Sequence, residues 1–236
     1  VYLKDKIEKL LLILNDGLVG KEKIIKLGIL SLMAGENLIL IGPPGTAKSE
    51  ISRRFNNIFE KESYFEYLLT KFTTPEEIFG PFSIKKLQED KFERSTEGYI
   101  PRSKIVFLDE IFKANSSILN TLLTIINEKV FHNGIKIEKI PLISLIGASN
   151  EVPLDNEELT ALYDRFLVRG IVDYISDEEI EMLLDIENNE IEIPEELKFT
   201  LDELEEIRKN SKEIKVSNGI KKTIIEIRRE YNKVFM

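Results

Sequence analysis

An apolar run, Asn37 to Gly42 (NLILIG), passes with no spacer into Gly42-Pro43-Pro44-Gly45-Thr46-Ala47-Lys48-Ser49, and the residues from Lys48 to Phe59 read as a helix. A buried strand, a Gly/Pro-rich loop and a helix in immediate succession form the context that a phosphate cradle requires. Small residues let successive backbone N–H groups turn inward on an anion, and the helix N-terminus adds the positive end of its dipole. Lys48 would bring a mobile charge to the outer phosphates, and the Ser49 hydroxyl would reach Mg2+. Glu50, in the first helical turn, completes the candidate nucleotide-contacting residues. Ala47 stands where the strict pattern has Gly; Ala is tolerated there if the residue is right-handed helical with its methyl turned away from the phosphates. A plain Gly/Pro turn between a strand and a helix is the lesser alternative for the stretch on its own.

A second segment narrows the choice. Ile105-Val106-Phe107-Leu108-Asp109-Glu110 is a buried strand ending in adjacent carboxylates. Ligands of open parallel sheets sit beyond the carboxyl ends of the strands, so Asp109 and the phosphate loop are expected at one edge. Asp109 would hold Mg2+, directly or through water, and Glu110 would polarise the attacking water as general base. Two acids can also simply end a strand. Leu142 to Gly147 runs into Ala148-Ser149-Asn150-Glu151. Asn150 there can donate an amide hydrogen to a terminal phosphate or to the water, or serve as an ordinary turn residue. Arg165 follows the helical stretch Glu157 to Tyr163, with Arg169 close behind. Phosphoryl transfer needs a cation opposite the leaving charge, which Arg165 of an adjacent subunit would supply. A surface ion pair with Asp164 is the plainer alternative.

The remaining pattern is that of a doubly wound parallel sheet of five strands flanked by helices. Asn37–Gly42, Lys104–Leu108 and Pro141–Gly147 are apolar without alternation, as in strands covered on both faces; Tyr64–Thr70 and Phe166–Tyr174 are weaker candidates. Helices are expected at Glu22–Ala34, closed by Gly35, and at Ser116–Lys129, with Ile118, Leu119, Leu122, Leu123 and Ile126 on one face. Thr74-Pro75-Glu76-Glu77 is a capping box with Pro at the first helical position. Two hairpins interrupt the core: Phe82–Tyr99, and Val130–Ile140 with an Asn133-Gly134 turn signal beside a solvated His132. After Tyr174 no strong strand remains. Residues 1–175 therefore read as the α/β core and 176–236 as a small helical domain, its helices opened by capping boxes at Ser176 and Thr200 and a third running from Asn218 to about Asn232.

Composition removes other possibilities. None of the 236 residues is Cys and one is His, which excludes disulfides, thiolate chemistry and a multi-His metal site within one chain, and fits a cytoplasmic address. No apolar run approaches the roughly 20 residues of a membrane-spanning helix. A net charge of −9 counts against bulk attraction to nucleic acid or anionic lipid.

In this order, the four stretches resemble the AAA+ ATPases and, more narrowly, the MoxR family, over residues from about 15 to 175. GPPGTAKS with Ala is the MoxR form of the loop. Gly17-Leu18-Val19-Gly20-Lys21-Glu22 is similar to the family's opening box, which implies Leu18, Val19 and Gly20 against the adenine; Lys21 stands where Arg is usual. Within MoxR the chain looks most like the RavA group, through residues 69–81, Asp109-Glu110-Ile111-Phe112-Lys113-Ala114 and 161–166. By position, the resemblance makes Gly42, Pro43, Pro44, Gly45, Thr46, Ala47, Lys48 and Ser49 the Walker A loop, Asp109 and Glu110 Walker B, Asn150 sensor 1 and Arg165 the arginine finger. It implies binding of ATP or ADP with Mg2+ on Ser49 and Asp109, hydrolysis of ATP, and a homo-oligomeric, hexameric ring. A von Willebrand factor A-domain partner and chaperone-like remodelling of a protein client are also implied. The hairpins, about 81–103 and 129–141, match the helix-2 insert and the hairpin before sensor 1, which in related rings face the central pore.

The family's second sensor arginine has no match; Arg228 and Arg229 fit no such motif. With no initiator Met and an end at Met236, the chain is expected to be an ATPase-core fragment with an incomplete lid. The same clade holds nucleic-acid motors, restriction-type NTPases and metal chelatase subunits, and a nucleotide-gated scaffold is a further alternative. Lys85, Lys86, Lys91 and Arg94 in the first hairpin would favour a nucleic-acid motor, but Glu89, Asp90, Glu93 and Glu97 offset them.

Overall fold

The structure, a computed structural model, describes residues 2–59, 63–153, 156–186 and 191–235. In chain order the regular elements are α1 (Tyr2–Asn15), α2 (Glu22–Ala34), β1 (Leu38–Ile41), α3 (Lys48–Asn56), β2 (Tyr64–Leu68), α4 (Pro75–Phe79), α5 (Ile84–Leu87), β3 (Ile105–Asp109), α6 (Ser116–Glu128), β4 (Val130–Asn133), β5 (Lys136–Lys139), β6 (Ser144–Ser149), α7 (Glu157–Tyr163), β7 (Val168–Ile171), α8 (Asp177–Leu184), α9 (Leu201–Glu213) and α10 (Asn218–Phe235). Short 3-10 turns lie at Ile100–Arg102, Ile111–Lys113 and Glu195–Leu197.

The five expected strands form one parallel sheet in the order β2-β3-β6-β1-β7. β6 is buried along its whole length and β3 along all but its last residue, which is why their sequences are continuous apolar runs rather than alternating ones. The third apolar run enters the sheet three residues later than expected, at Ser144, and Ser149 is its last strand residue. The register sets Ile41 beside Ser149, Leu108 beside Gly147 and Leu68 beside Asp109, so the carboxyl ends of β1, β3 and β6 finish at one edge.

Local chemistry sets the helix ends. Thr74 and Glu77 form the expected reciprocal cap of α4, and Asn115 accepts the Ile118 N–H at 3.1 Å to open α6. α6 packs Ile118, Leu119, Leu122, Ile125 and Ile126 into the core with Val106, Leu108, Leu145 and Phe166. Truncating Leu122, which is fully buried, removes about 2–5 kcal/mol by the usual cost of a core cavity.

Three expectations need correction. Only the stem of the first hairpin is a ladder: Ser83 N–H donates to Glu93 O at 2.9 Å and Ser95 N–H to Pro81 O at 2.8 Å. Its tip is the helical turn α5, because the Ser83 hydroxyl accepts the Lys86 N–H and favours helix over strand. In the second hairpin Asn133 pairs with Lys136 inside the ladder, so the two-residue turn is Gly134-Ile135, with Gly134 at φ 64 in the first central position. Asn133 is buried instead, accepting the Arg94 N–H at 2.6 Å and donating to Glu138 at 3.0 Å. Third, the compact units are residues 1–199 and 200–236, a boundary later than 175. Residues up to Phe199 stay with the first unit because the Phe199 N–H donates to Ile58 O at 2.8 Å and the buried Phe199 ring receives the Lys6 ammonium at 4.3 Å. The second unit holds α9, opened by the expected Thr200–Glu203 capping box, and α10.

Candidate active site

The loop between β1 and α3 is shaped by close approaches. Gly42 N–H donates to Ser149 O at 3.0 Å, and a Cβ on Gly42 would collide with the Val172 carbonyl oxygen, so only glycine fits between the ends of β6 and β7. At Gly45, φ 79, an added Cβ would meet nothing within 4 Å: the loop opens onto free space there. The buried Thr46 hydroxyl donates to Pro43 O at 2.9 Å and braces the turn. Ala47 departs from expectation. It is left-handed, at φ 67 and ψ 22, not right-handed, because the chain must reverse there before its carbonyl accepts the Ile51 N–H, the first bond of α3. For a residue with a Cβ that conformation costs about 1–2 kcal/mol.

Lys48 points back under this loop. Its ammonium donates to Gly42 O at 2.7 Å, Pro43 O at 2.8 Å and Asn150 Oδ1 at 3.2 Å. Burial pushes its pKa down, and the Asp109 and Glu110 carboxylates oppose that shift. The Asn150 amide in turn donates to Glu110 Oε1 at 2.7 Å. Residues from three strand tips are thus joined by side-chain hydrogen bonds. Asp109 Oδ1 accepts the Glu110 N–H at 2.9 Å, and Glu110 is itself left-handed, at φ 52 and ψ 43. Ser49 and Glu50 lie in the first turn of α3. Glu50 accepts from Arg54 Nε at 2.9 Å, and the buried Arg54 donates onward to the carbonyls of Leu14 and Asp16. This ties the segment before Gly17 to the helix that follows the loop.

That segment forms one wall of a cavity of about 120 Å3. Gly17, Leu18, Val19 and Lys21 line it together with Thr46, Ala47, Asp173, Tyr174, Ile175 and Leu183. Gly20 does not line it; at φ 68 it turns the chain against the Glu179 carboxylate. The buried Lys21 donates to Asp173 O at 2.7 Å and joins the two walls. The opposite wall, 173–175 with Leu183, carries no motif, and only the fold brings it to the loop.

Arg165 lies elsewhere. It precedes β7 by three residues, and Val168 pairs with Leu38 at the amino end of β1, so Arg165 sits at the edge opposite its own phosphate loop, about 10 Å or more along the strands. Asp164, its alternative partner, is taken by Arg169 at 3.5 Å. Arg169 also stacks on Tyr163 at 3.9 Å and donates to Phe166 O at 3.0 Å. Arg165 is exposed and has no side-chain hydrogen bond or ion pair among the described residues. His132 is exposed on β4, away from these residues, and lines a separate cleft of about 360 Å3 with Arg94.

Residues 5–209 match bpMoxR, the MoxR domain in the MoxR-vWA-beta-propeller ternary systems. Two uncharacterized proteins of Methanocaldococcus jannaschii are 46% identical over 228 residues and 45% identical over 217, covering 94% and 91% of this chain. The chain spans 58% and 56% of their lengths. A structural protein of Acidianus two-tailed virus is 33% identical over 210 residues, which is 83% of this chain and 33% of the viral protein. Among solved structures, a candidate ATPase from Cytophaga hutchinsonii shares the fold, with a TM-score of 0.73 and 19% identity over 95% of this chain and 68% of that one. No helix among the described residues is long and apolar enough to cross a membrane. The family match runs through the loop, the three strand tips and Arg165, and the chain belongs to the MoxR family of AAA+ ATPases.

Proposed function

We propose that this chain binds ATP with Mg2+ and hydrolyses it, with Glu110 as the general base. The reading is carried by the path from Lys48 through Asn150 to Glu110, at 3.2 and 2.7 Å, which gathers a buried cation, an amide and a carboxylate beside a loop with open space at Gly45. A buried ammonium held only by carbonyl and amide oxygens is an incomplete site for charge, and a phosphate completes it. The donor set suits Mg2+: Asp109 and Ser49 offer hard oxygens, and no cluster of three or more His, Cys, Asp or Glu exists among the described residues to hold a metal without phosphate. When bound, Mg2+ would neutralise charge on the phosphates. Leu18, Val19 and the cavity they line would take the adenine. Lys48 would hold the outer phosphates, Asn150 would orient the terminal one, and Glu110 would accept the proton of the attacking water.

Arg165 completes the reading in trans. Exposed, without an ion pair among the described residues and at the far edge from its own loop, it suits the role of arginine finger for a neighbouring copy, as a ring oligomer requires. Within the MoxR family, the Phe112-Lys113 pair resembles the RavA branch; in the fold Phe112 packs edge-on against Tyr163 and Lys113 pairs with Glu110. The matching domain description fits a von Willebrand factor A-domain partner, a protein client is what the resemblance implies, and absence of Cys suits work in the cytoplasm. A nucleic-acid track is disfavoured by the charges of the insert, since Lys86 and Lys91 pair with Glu89, Arg94 with Glu76, and Lys136 with Glu93.

Glu110→Gln tests the reading. Phosphate release should fall by at least about 100-fold while ATP affinity, from a fluorescent-nucleotide titration, stays within about threefold. Undiminished turnover would remove Glu110 as base.

A further inference from the structure

Both oxygens of the Glu110 carboxylate are engaged: Oε1 accepts from Asn150 at 2.7 Å, and Oε2 pairs with the Lys113 ammonium at 3.4 Å. We propose that Lys113 is a positioning residue for Glu110, holding Oε2 in place while Oε1 exchanges Asn150 for the attacking water. The inference rests on the reading of Glu110 as base and adds a residue to it.

The local fold fixes Lys113 for this task. Asp109 Oδ1 accepts the Glu110 N–H, and the Lys113 N–H donates to Glu110 O at 2.8 Å, closing the turn that returns position 113 to the Glu110 side chain. Fully buried Ile111 and the Phe112–Tyr163 contact, with ring centroids 6.0 Å apart, pin the turn on its other faces. Asn150 has conflicting duties. Its amide has two hydrogens, one of them donated to Glu110; where a nucleotide turns the amide onto a terminal phosphate, Oε1 is released. Lys113 is then the remaining side-chain partner of Glu110 among the described residues. A glutamate without such an anchor regains rotamer freedom and loses its alignment with the water. Lys113 is itself 49% exposed, so the pair contributes little to folding and its removal leaves the fold intact.

The test compares Lys113→Ala, Lys113→Arg and Glu110→Gln with the native chain. For Lys113→Ala the expected result is a fall in kcat of about tenfold, with Kd for a fluorescent ATP analogue within about twofold and unchanged Tm. Lys113→Arg should recover most of the loss, since its guanidinium can reach the same oxygen. A crystal structure with Mg2+ and a non-hydrolysable ATP analogue provides a readout independent of turnover: Glu110 should keep Lys113 within ion-pair distance and lose Asn150. Native turnover in Lys113→Ala, or a Lys113–Glu110 pair broken in the analogue complex, would overturn the proposal. Should Glu110→Gln retain full turnover, the assignment of the base fails instead, and the two failures are distinct.

Discussion

The two edges of the parallel sheet carry opposite kinds of polar chemistry. At the carboxyl edge Lys48, Asn150 and Glu110, distant in sequence, satisfy one another through bonds of 3.2 and 2.7 Å. At the amino edge Arg169 absorbs Asp164 and stacks on Tyr163, while Arg165 is left exposed. One edge is internally complete except for an anion; the other presents a cation that its own loop cannot use. On the proposed reading, the contrast sets the parts of one reaction on opposite faces of a copy, to meet where two copies touch.

Substitutions can break that comparison. The largest effect is expected for Arg165→Ala: kcat should fall about 1,000-fold, at the lower end for a lost arginine finger, with ATP affinity nearly unchanged. Phosphate release and nucleotide titration check it, and a matching loss of affinity would put Arg165 in binding instead. Lys48→Ala acts at the other edge and should weaken ATP binding about 100-fold, the worth of charged hydrogen bonds to phosphate, as calorimetric titration would read.

Two smaller effects sharpen the picture of the carboxyl edge as a packed and strained place. Gly42→Ala drives a methyl into the Val172 carbonyl and should lower stability by about 1–3 kcal/mol in a denaturant titration. Ala47→Gly relieves a left-handed alanine and should raise stability by about 0.5–1 kcal/mol. A loss of stability there would mean that the loop is not strained as its backbone angles imply.

What could be read in advance follows from how local each feature is. The tips of β1, β3 and β6 are legible because each is a contiguous apolar run whose burial on both faces dictates its composition, and the chemistry follows at once in the chain. The far wall of the cavity beside the loop is not, because Asp173, Tyr174, Ile175 and Leu183 meet Leu18 and Ala47 only after the sheet forms. The left-handed backbone of Ala47 is not legible because residue type reports preference, not the conformation that a reversing loop imposes. The spacing of Phe82, Ile84 and Leu87 suggests strand at the tip of the first insert, whereas the Ser83 cap closes a helical turn and leaves Ile84 exposed. Residues 176–199 have the composition of the helices after them, yet Phe199 docks beside Ile58 through a contact between positions 141 apart.

Mixing two inactive chains tests most directly whether the site is shared between copies. Glu110→Gln retains Arg165, and Arg165→Ala retains Glu110. Combined in equal amounts, they should regain up to about a quarter of native phosphate release, because random assembly in a closed ring pairs an intact base with an intact arginine at that share of interfaces. A mixture no more active than its parts, with the native chain active, would contradict the account.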